Sequence, residues 1–426
     1  MELKVKKSSL QGRVKMPGSK SHTIRSVVIA SLAEGESRIE EPLLSADTRA
    51  AVDCMSKLGA EIECGEEMWQ VRGTGGQLKV PDDIIDVANS GTTLRFAVGS
   101  CGLLENGAAV FTGDEQIRAR PMEPLIKSLN ELGATCFSTR NNGRAPLVVR
   151  GKMRGGETSI EALSSQYLSS LLINVPLAEN DSIINVIKLN EQPYVEITLK
   201  YLDEQGIKYN REGWRRFEVE GGQKYKAFQK RIPADFSSAT FFLCAGAILE
   251  GELVLEGLDF TDSQGDKAVV DILKNMGADI EIDDNEVTVR GGGLEGMEID
   301  LNSTPDALPA LAVVGCFAKG QTRLYNVPQA RMKETDRIKV MAEELGRMGG
   351  KVQELSDGLV IEQSQLQAAN LKGYADHRVV MALSLAGMAL KGESTIDTAE
   401  AVSVTFPDYV ELMQSVGAKM EIKKKM

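Results

Sequence analysis

Apolar and polar positions along the chain follow a pattern that repeats. A long amphipathic helix ends in a glycine step and is followed by a short strand, and this combination occurs six times: KLGAEIE, ELGATCF, EQGIKYN, NMGADIE, RMGGKVQ and SVGAKME. The marker glycines are Gly59, Gly133, Gly206, Gly277, Gly349 and Gly417, separated by 74, 73, 71, 72 and 68 residues. So regular a period predicts six copies of one unit of about 70 residues. Each copy opens with a polar segment and an apolar helix, as in SKSHTIRSVVIASLAEG or SSATFFLCAGAILEG. A strand such as GELVLEGL follows, then a second helix such as KAVVDILKNMG, whose glycine suits a left-handed C-cap. A strand pair such as ADIEIDDNEVTVRG, with turn residues between its halves, closes the copy. The predicted class is α/β, repeated.

Composition narrows the partners. The chain has 426 residues, enough for two or more domains with real cores, with 42% hydrophobic and 26% charged residues. A formal net charge of -12 opposes a nucleic-acid partner held by counterion release. It leaves small anionic substrates open, because a local cleft can be basic on an acidic protein. The longest nearly apolar run, Leu308 to Ala318, is well short of the ~20 residues of a membrane span. The opening MELKVKKSSLQGRV has no apolar signal core, so the expected location is cytoplasmic. The six cysteines form no CxxC pair and there are two histidines. No zinc-like cluster is visible, and Cys54, Cys64, Cys101, Cys136, Cys244 and Cys316 are expected to be free buried thiols.

The chemistry concentrates where polar segments meet the apolar helices. A helix N-terminus carries about half a positive charge and unpaired N–H groups, so several such ends in one cleft would attract anions. Each supplies only ~0.3–1 kcal/mol, so affinity also needs cationic side chains. The openings carry them. Pro17-Gly18-Ser19-Lys20-Ser21-His22-Thr23-Ile24-Arg25 combines a flexible glycine with Lys20, Ser21 and Arg25 as donors. Asn89-Ser90-Gly91-Thr92-Thr93-Leu94-Arg95 precedes the second apolar helix, and Arg118-Ala119-Arg120-Pro121 offers two guanidinium forks in an expected irregular loop. Ser164-Ser165-Gln166 can bind hydroxyls or phosphate oxygens. Pro305-Asp306-Ala307 places an acid before a helix. In Arg331-Met332-Lys333-Glu334-Thr335-Asp336-Arg337, Lys333 and Arg337 share a face if the segment is helical. Asp376-His377-Arg378 and Thr405-Phe406-Pro407-Asp408-Tyr409 complete the set. Taken singly, plain N-capping or solvated charge explains each motif.

In order and spacing, PGSKS, NSGTTLR, RARP, SSQ, PDA, KETDR, DHR and TFPDY resemble the 5-enolpyruvylshikimate-3-phosphate synthase (3-phosphoshikimate 1-carboxyvinyltransferase) family of enolpyruvyl transferases over nearly the whole chain. The resemblance implies two similar domains, each of three βαβαββ-type units in an inside-out α/β barrel-like arrangement, with the active site in the interdomain cleft. One domain would join residues 1–14 to 233–426; the other, inserted, would span 15–232. The implied reaction moves the enolpyruvyl group of phosphoenolpyruvate to the 5-hydroxyl of shikimate 3-phosphate, releasing phosphate through a tetrahedral addition–elimination intermediate, in chorismate and aromatic amino-acid biosynthesis. By resemblance, shikimate 3-phosphate would meet Lys20, Ser21, Arg25, Ser164, Ser165, Gln166, Tyr194, Asp306, Gln329 and Lys333. Phosphoenolpyruvate would meet Lys20, Asn89, Gly91, Arg120, Gln166, Arg337 and Arg378. Asp306, Glu334 and Lys20 would move the protons. No metal or organic cofactor is expected, since phosphoenolpyruvate carries its own leaving group, and the expected state is a monomer without nucleic-acid or membrane partners.

Three positions depart from the family pattern. Glu191-Gln192-Pro193-Tyr194 stands where Ser-Lys-Pro-Tyr is usual; an acid near a phosphate is unfavourable, so this loop is expected to sit differently. Gln329 replaces a common Asn, and Val404 replaces a lysine that helps to bind phosphoenolpyruvate, removing one expected contact. Two alternatives remain. Transferases acting on UDP-N-acetylglucosamine use a cysteine in the loop that here spans Gly113 to Pro121 without one. A non-catalytic anion-binding relative would have no need of Asp306 and Glu334.

Overall fold

The computed structural model describes residues 1–424. Contacts divide the chain into two units: Met1–Pro17 joined to the chain from Pro233 onward, and Gly18–Ile232. Both are mixed α/β. Among the described residues they contain six four-stranded sheets, three in each unit, and every sheet has one parallel pair at an edge followed by two antiparallel pairs. In one sheet Ile85–Asp86 runs parallel to Ala108–Thr112, which pairs antiparallel with Leu147–Arg150, itself antiparallel to Thr135–Ser138. Leaving aside the short helix Glu115–Ala119, the helices Gly91–Cys101 and Glu123–Glu131 interleave with these strands in the chain order βαβαββ.

Two crossings modify this plan. The strand Leu10–Lys15 leads into the helix Lys20–Leu32, yet it pairs in parallel with Gly251–Glu256. The strand Gln229–Arg231 leads into the helix Phe236–Ile248, yet it pairs in parallel with Glu36–Glu40. The two leading strands have exchanged sheets, which is how one unit comes to be inserted in the other. A third irregularity closes the last copy: Glu2–Lys6 lies between Glu393–Asp397 and Lys419–Lys423, antiparallel to both.

The apolar helix of each copy is buried on all sides, as expected of a helix without a polar face. Burial is unbroken over His22–Leu32, Thr93–Cys101, Tyr167–Asn174, Phe236–Ala247, Leu308–Cys316 and His377–Met388. Each wholly buried Leu, Ile, Val or Phe contributes roughly 1.5–3 kcal/mol against exposure. Polar groups inside these helices pair with neighbouring helices, as buried polar groups must. Ser100 Oγ donates to Asn174 Oδ1 at 2.8 Å and Ser170 Oγ to Arg95 O at 2.6 Å. The second helix of each copy is amphipathic and ends as read: all six marker glycines have positive φ, from 68° to 106°, where an L side chain is strained. Five cysteines are buried, but Cys64 is exposed: its strand Glu61–Cys64 is a sheet edge with little cover. Among the described residues no helix is long and apolar enough to cross a membrane.

Candidate active-site clusters

In the unit Gly18–Ile232 the buried helices pack side by side. Gln166 Nε2 donates to Thr92 Oγ1 at 3.1 Å, and the contacts then step in the same order through Ser170 with Arg95 and Asn174 with Ser100. Gly91–Cys101 and Ser165–Asn174 are therefore parallel, and Gly91 and Ser165 share an end. The Arg25 guanidinium of the third helix, Lys20–Leu32, lies 5.2 Å from the Phe96 ring centroid. Lys20 is partly buried and its Nζ pairs with Asp47 at 3.1 Å. Arg25 is 1% exposed and faces inward. Its Nε donates to Thr198 Oγ1 at 2.8 Å, Nη1 to Ser21 O at 3.0 Å and Nη2 to Tyr194 O at 2.8 Å. Burial lowers its pKa to about 10, against the opposing pull of Tyr201 and Tyr194; it stays protonated at neutral pH. Ser164 caps the helix that Ser165 and Gln166 begin.

Gly91 starts its helix where an added side chain would have to displace two guanidinium ends. A Cβ there would stand 2.5 Å from Arg95 Nη1 and 2.6 Å from Arg120 Nη1. The two arginines of RARP part company. Arg120 is buried, while Arg118 lies exposed in a short helix, Glu115–Ala119, where a loop was expected. Tyr167 Oη donates to Pro121 O at 2.6 Å and fixes that turn. Asn89 Nδ2 donates to Asp114 Oδ2 and Gln116 Oε1, both at 2.6 Å, tying the Gly91 loop to the segment that carries Arg120.

In the other unit the centre is Arg337, 1% exposed. Nη1 donates to Asp306 Oδ1 at 2.8 Å, Nη2 to Glu334 Oε2 at 2.5 Å, and Nε to Asp376 Oδ2 at 2.8 Å. Asp376 also caps the helix His377–Ala389 through Arg378 N at 2.9 Å. Asp306 receives two more cations, Arg378 at 3.1 Å and Lys333 at 3.7 Å. Three carboxylates thus share three cations. Burial would raise the Asp306 pKa, but Arg378, Lys333 and Arg337 hold it well below the usual carboxylate range. Arg337 is raised by Asp376, Glu334 and Asp306 against the effect of burial.

Lys333 and Arg337 do not share a helix face. The helix begins at Arg337, and Lys333 and Glu334 lie in the turn before it; they meet because both segments converge on Asp306 and Arg337. Gln329 is buried and its Nε2 donates to Asn302 O at 3.0 Å. Val404 closes the 3-10 segment Ala399–Val404. Motif reading missed Asp47 and Thr198, and it gave Asp376 no role of its own. No local signal marks an acid that pairs with a cation 27 or 39 residues away. Glu191 lies directly on the serines: Ser165 N, Ser165 Oγ and Ser164 Oγ donate to its Oε2 at 3.1, 2.8 and 3.4 Å.

Comparison with known proteins gives a consistent result. The family model described as EPSP synthase (3-phosphoshikimate 1-carboxyvinyltransferase) matches residues 5–413. A 3-phosphoshikimate 1-carboxyvinyltransferase of Acetivibrio thermocellus is 55% identical over 98% of this chain and 99% of its own length. One of Ruminiclostridium cellulolyticum is 52% identical over 99% of this chain and all of its own. The EPSP synthase structure from Acinetobacter baumannii superposes with a TM-score of 0.84 at 28% identity, covering 99% of this chain and 100% of that one. A family match over nearly the full length, on a scaffold of six matching sheets that presents the motif residues in two charged clusters, means that this chain belongs to the EPSP synthase (3-phosphoshikimate 1-carboxyvinyltransferase) family.

Proposed function

We propose that this chain transfers the enolpyruvyl group of phosphoenolpyruvate to the 5-hydroxyl of shikimate 3-phosphate, and that the two clusters carry that reaction. The supporting observation is the cage around Asp306: a carboxylate held by Lys333, Arg337 and Arg378, with Glu334 on the same arginine. Two proton-transfer groups stand among cations suited to phosphate and carboxylate. In this assignment Arg337, Arg378 and Arg120, with Lys20, Asn89, Gly91 and Gln166, take phosphoenolpyruvate. Lys20, Ser21, Arg25, Ser164, Ser165, Gln166, Tyr194, Gln329 and Lys333, with Asp306, take the acceptor. Arg25 acts partly by holding Tyr194 in place.

A carboxylate with so low a pKa is a poor base while three cations surround it. Substrate anions that draw Lys333, Arg337 and Arg378 onto themselves raise the basicity of Asp306, so the substrates prepare their own catalyst. Asp306 then takes the proton of the 5-hydroxyl as its oxygen bonds to C2, and Glu334 or Lys20 delivers a proton to the methylene carbon. The tetrahedral adduct loses phosphate as a proton leaves the methyl group, and the double bond re-forms. The proposal takes the monomer as the acting form. Free cysteines suit a reducing compartment, and the proposal places the enzyme in the cytoplasm.

The test is phosphate release from phosphoenolpyruvate, with shikimate 3-phosphate present and absent. Release that depends on the acceptor supports the reading; none from folded protein refutes it. Gly91 gives a finer check. In Gly91→Ala the new methyl must displace Arg95 and Arg120, so KM for phosphoenolpyruvate rises roughly tenfold, equivalent to ~1.4 kcal/mol, and KM for the acceptor rises less. Equal changes would remove Gly91 from the donor subsite.

A further inference from the structure

The donors at the start of the Ser165–Asn174 helix are taken by a carboxylate of the chain itself. One oxygen of Glu191 gathers a backbone N–H and two hydroxyls, the arrangement that a phosphate oxygen receives at a helix N-terminus. The side chain is 2% exposed. Its backbone is held at φ 58° and ψ 42°, a left-handed conformation uncommon for a residue with a Cβ. Neighbouring bonds fix the segment there. Asn190 Nδ2 donates to Leu163 O at 3.2 Å on one side, and Arg25 Nη2 to Tyr194 O at 2.8 Å on the other. The loop is built to deliver an anion to these two serines.

We propose that Glu191 is an internal stand-in for the acceptor's phosphate, holding the Ser164–Ser165 donors in the free enzyme and competing with the phosphate for them. The proposal rests on the assignment of Ser164 and Ser165 to shikimate 3-phosphate. A carboxylate and a phosphate cannot share three donors: their like charges repel, and each needs the same N–H and O–H hydrogens. Binding of the phosphate therefore includes the departure of Glu191, and acceptor affinity is set by the difference between the two anions. In exchange, the buried donors are never left without a partner when the site is empty.

The test uses the full chain and inorganic phosphate as the probe, by titration calorimetry, with steady-state kinetics alongside. Glu191→Gln removes the charge and keeps the shape. Glu191→Gly removes the side chain and suits the left-handed backbone, so it decides the matter if the glutamine variant fails to fold. Phosphate should bind at least fivefold more tightly to either variant than to wild type. The gain should vanish when Ser165→Ala is added, which ties it to this helix. KM for shikimate 3-phosphate should fall at least fivefold more than KM for phosphoenolpyruvate. Unchanged or weaker phosphate binding, a gain that survives Ser165→Ala, or equal changes in both KM values would overturn the proposal. A wild type that releases no phosphate from phosphoenolpyruvate would refute the assigned reaction instead, and the phosphate titration would still decide the role of Glu191.

Discussion

Arg337→Gln will yield a protein less stable by about 3–5 kcal/mol and without measurable transferase activity. Arg337 is 1% exposed and is bonded to all three carboxylates, Asp306, Glu334 and Asp376. Asp376 is wholly buried, and it loses both its bonds to a guanidinium. Glutamine offers one amide in place of the fork and no charge, so the acids repel one another with only Lys333 and Arg378 opposing. Denaturant unfolding followed by circular dichroism measures the loss. Both tryptophans, Trp69 and Trp214, belong to the unit Gly18–Ile232, so tryptophan fluorescence reports the unit without Arg337 and should shift less. A loss below about 1 kcal/mol would place the pair among weak, solvent-screened ion pairs and would contradict the buried cage.

Asp306→Asn is expected to lower kcat by roughly 10²–10⁴-fold, the usual contribution of a general base, with smaller changes in KM. It also carries a pH signature. The folded-state pKa of Asp306 is depressed by its cations, so its ion pairs add stability that is full above the unfolded value of about 3.9 and is lost progressively as pH falls from there through the depressed folded-state value. Wild type and Asp306→Asn should therefore differ in unfolding free energy at pH 7 and converge on acidification. The gap should narrow by up to about 1.4 kcal/mol for each pH unit below about 3.9; a gap that does not narrow between pH 4 and pH 2 would mean that Asp306 acts through packing and not through charge.

Much of this architecture is legible in the chain. Six glycines at near-constant spacing predict six left-handed helix ends, because the residue type and the backbone conformation are locally linked. The apolar helices are legible for the same reason. Partner choice is not local. Nothing in Leu10–Lys15 shows that it pairs beside Gly251–Glu256 and not beside the helix that follows it, since either sheet would bury the same alternating side chains. Helical spacing of Lys333 and Arg337 proposed a shared face, but the turn before Arg337 overrides it. The cations of the site were readable as residue types; Asp47 and Asp376, which hold Lys20 and Arg337, were not, because ordinary capping accounts for an acid at a helix start.

The position of Glu2–Lys6 bears on the order in which the molecule can be made. This strand sits inside its sheet, between Glu393–Asp397 and Lys419–Lys423, so a segment translated early stays unpaired on both edges until Glu393–Asp397 emerges, and on one edge until a segment more than 400 residues later has left the ribosome. At about 5–20 residues per second that wait is on the order of 20–80 s. The unit Gly18–Ile232 has no such debt: its last strand, Gln229–Arg231, emerges roughly midway, and it can close while the other unit is still being synthesised. The nascent chain therefore carries a finished domain and an exposed strand of alternating apolar residues, Leu3 and Val5, at the same time. It is this strand, and not the charged clusters, that most needs shielding from other chains during synthesis.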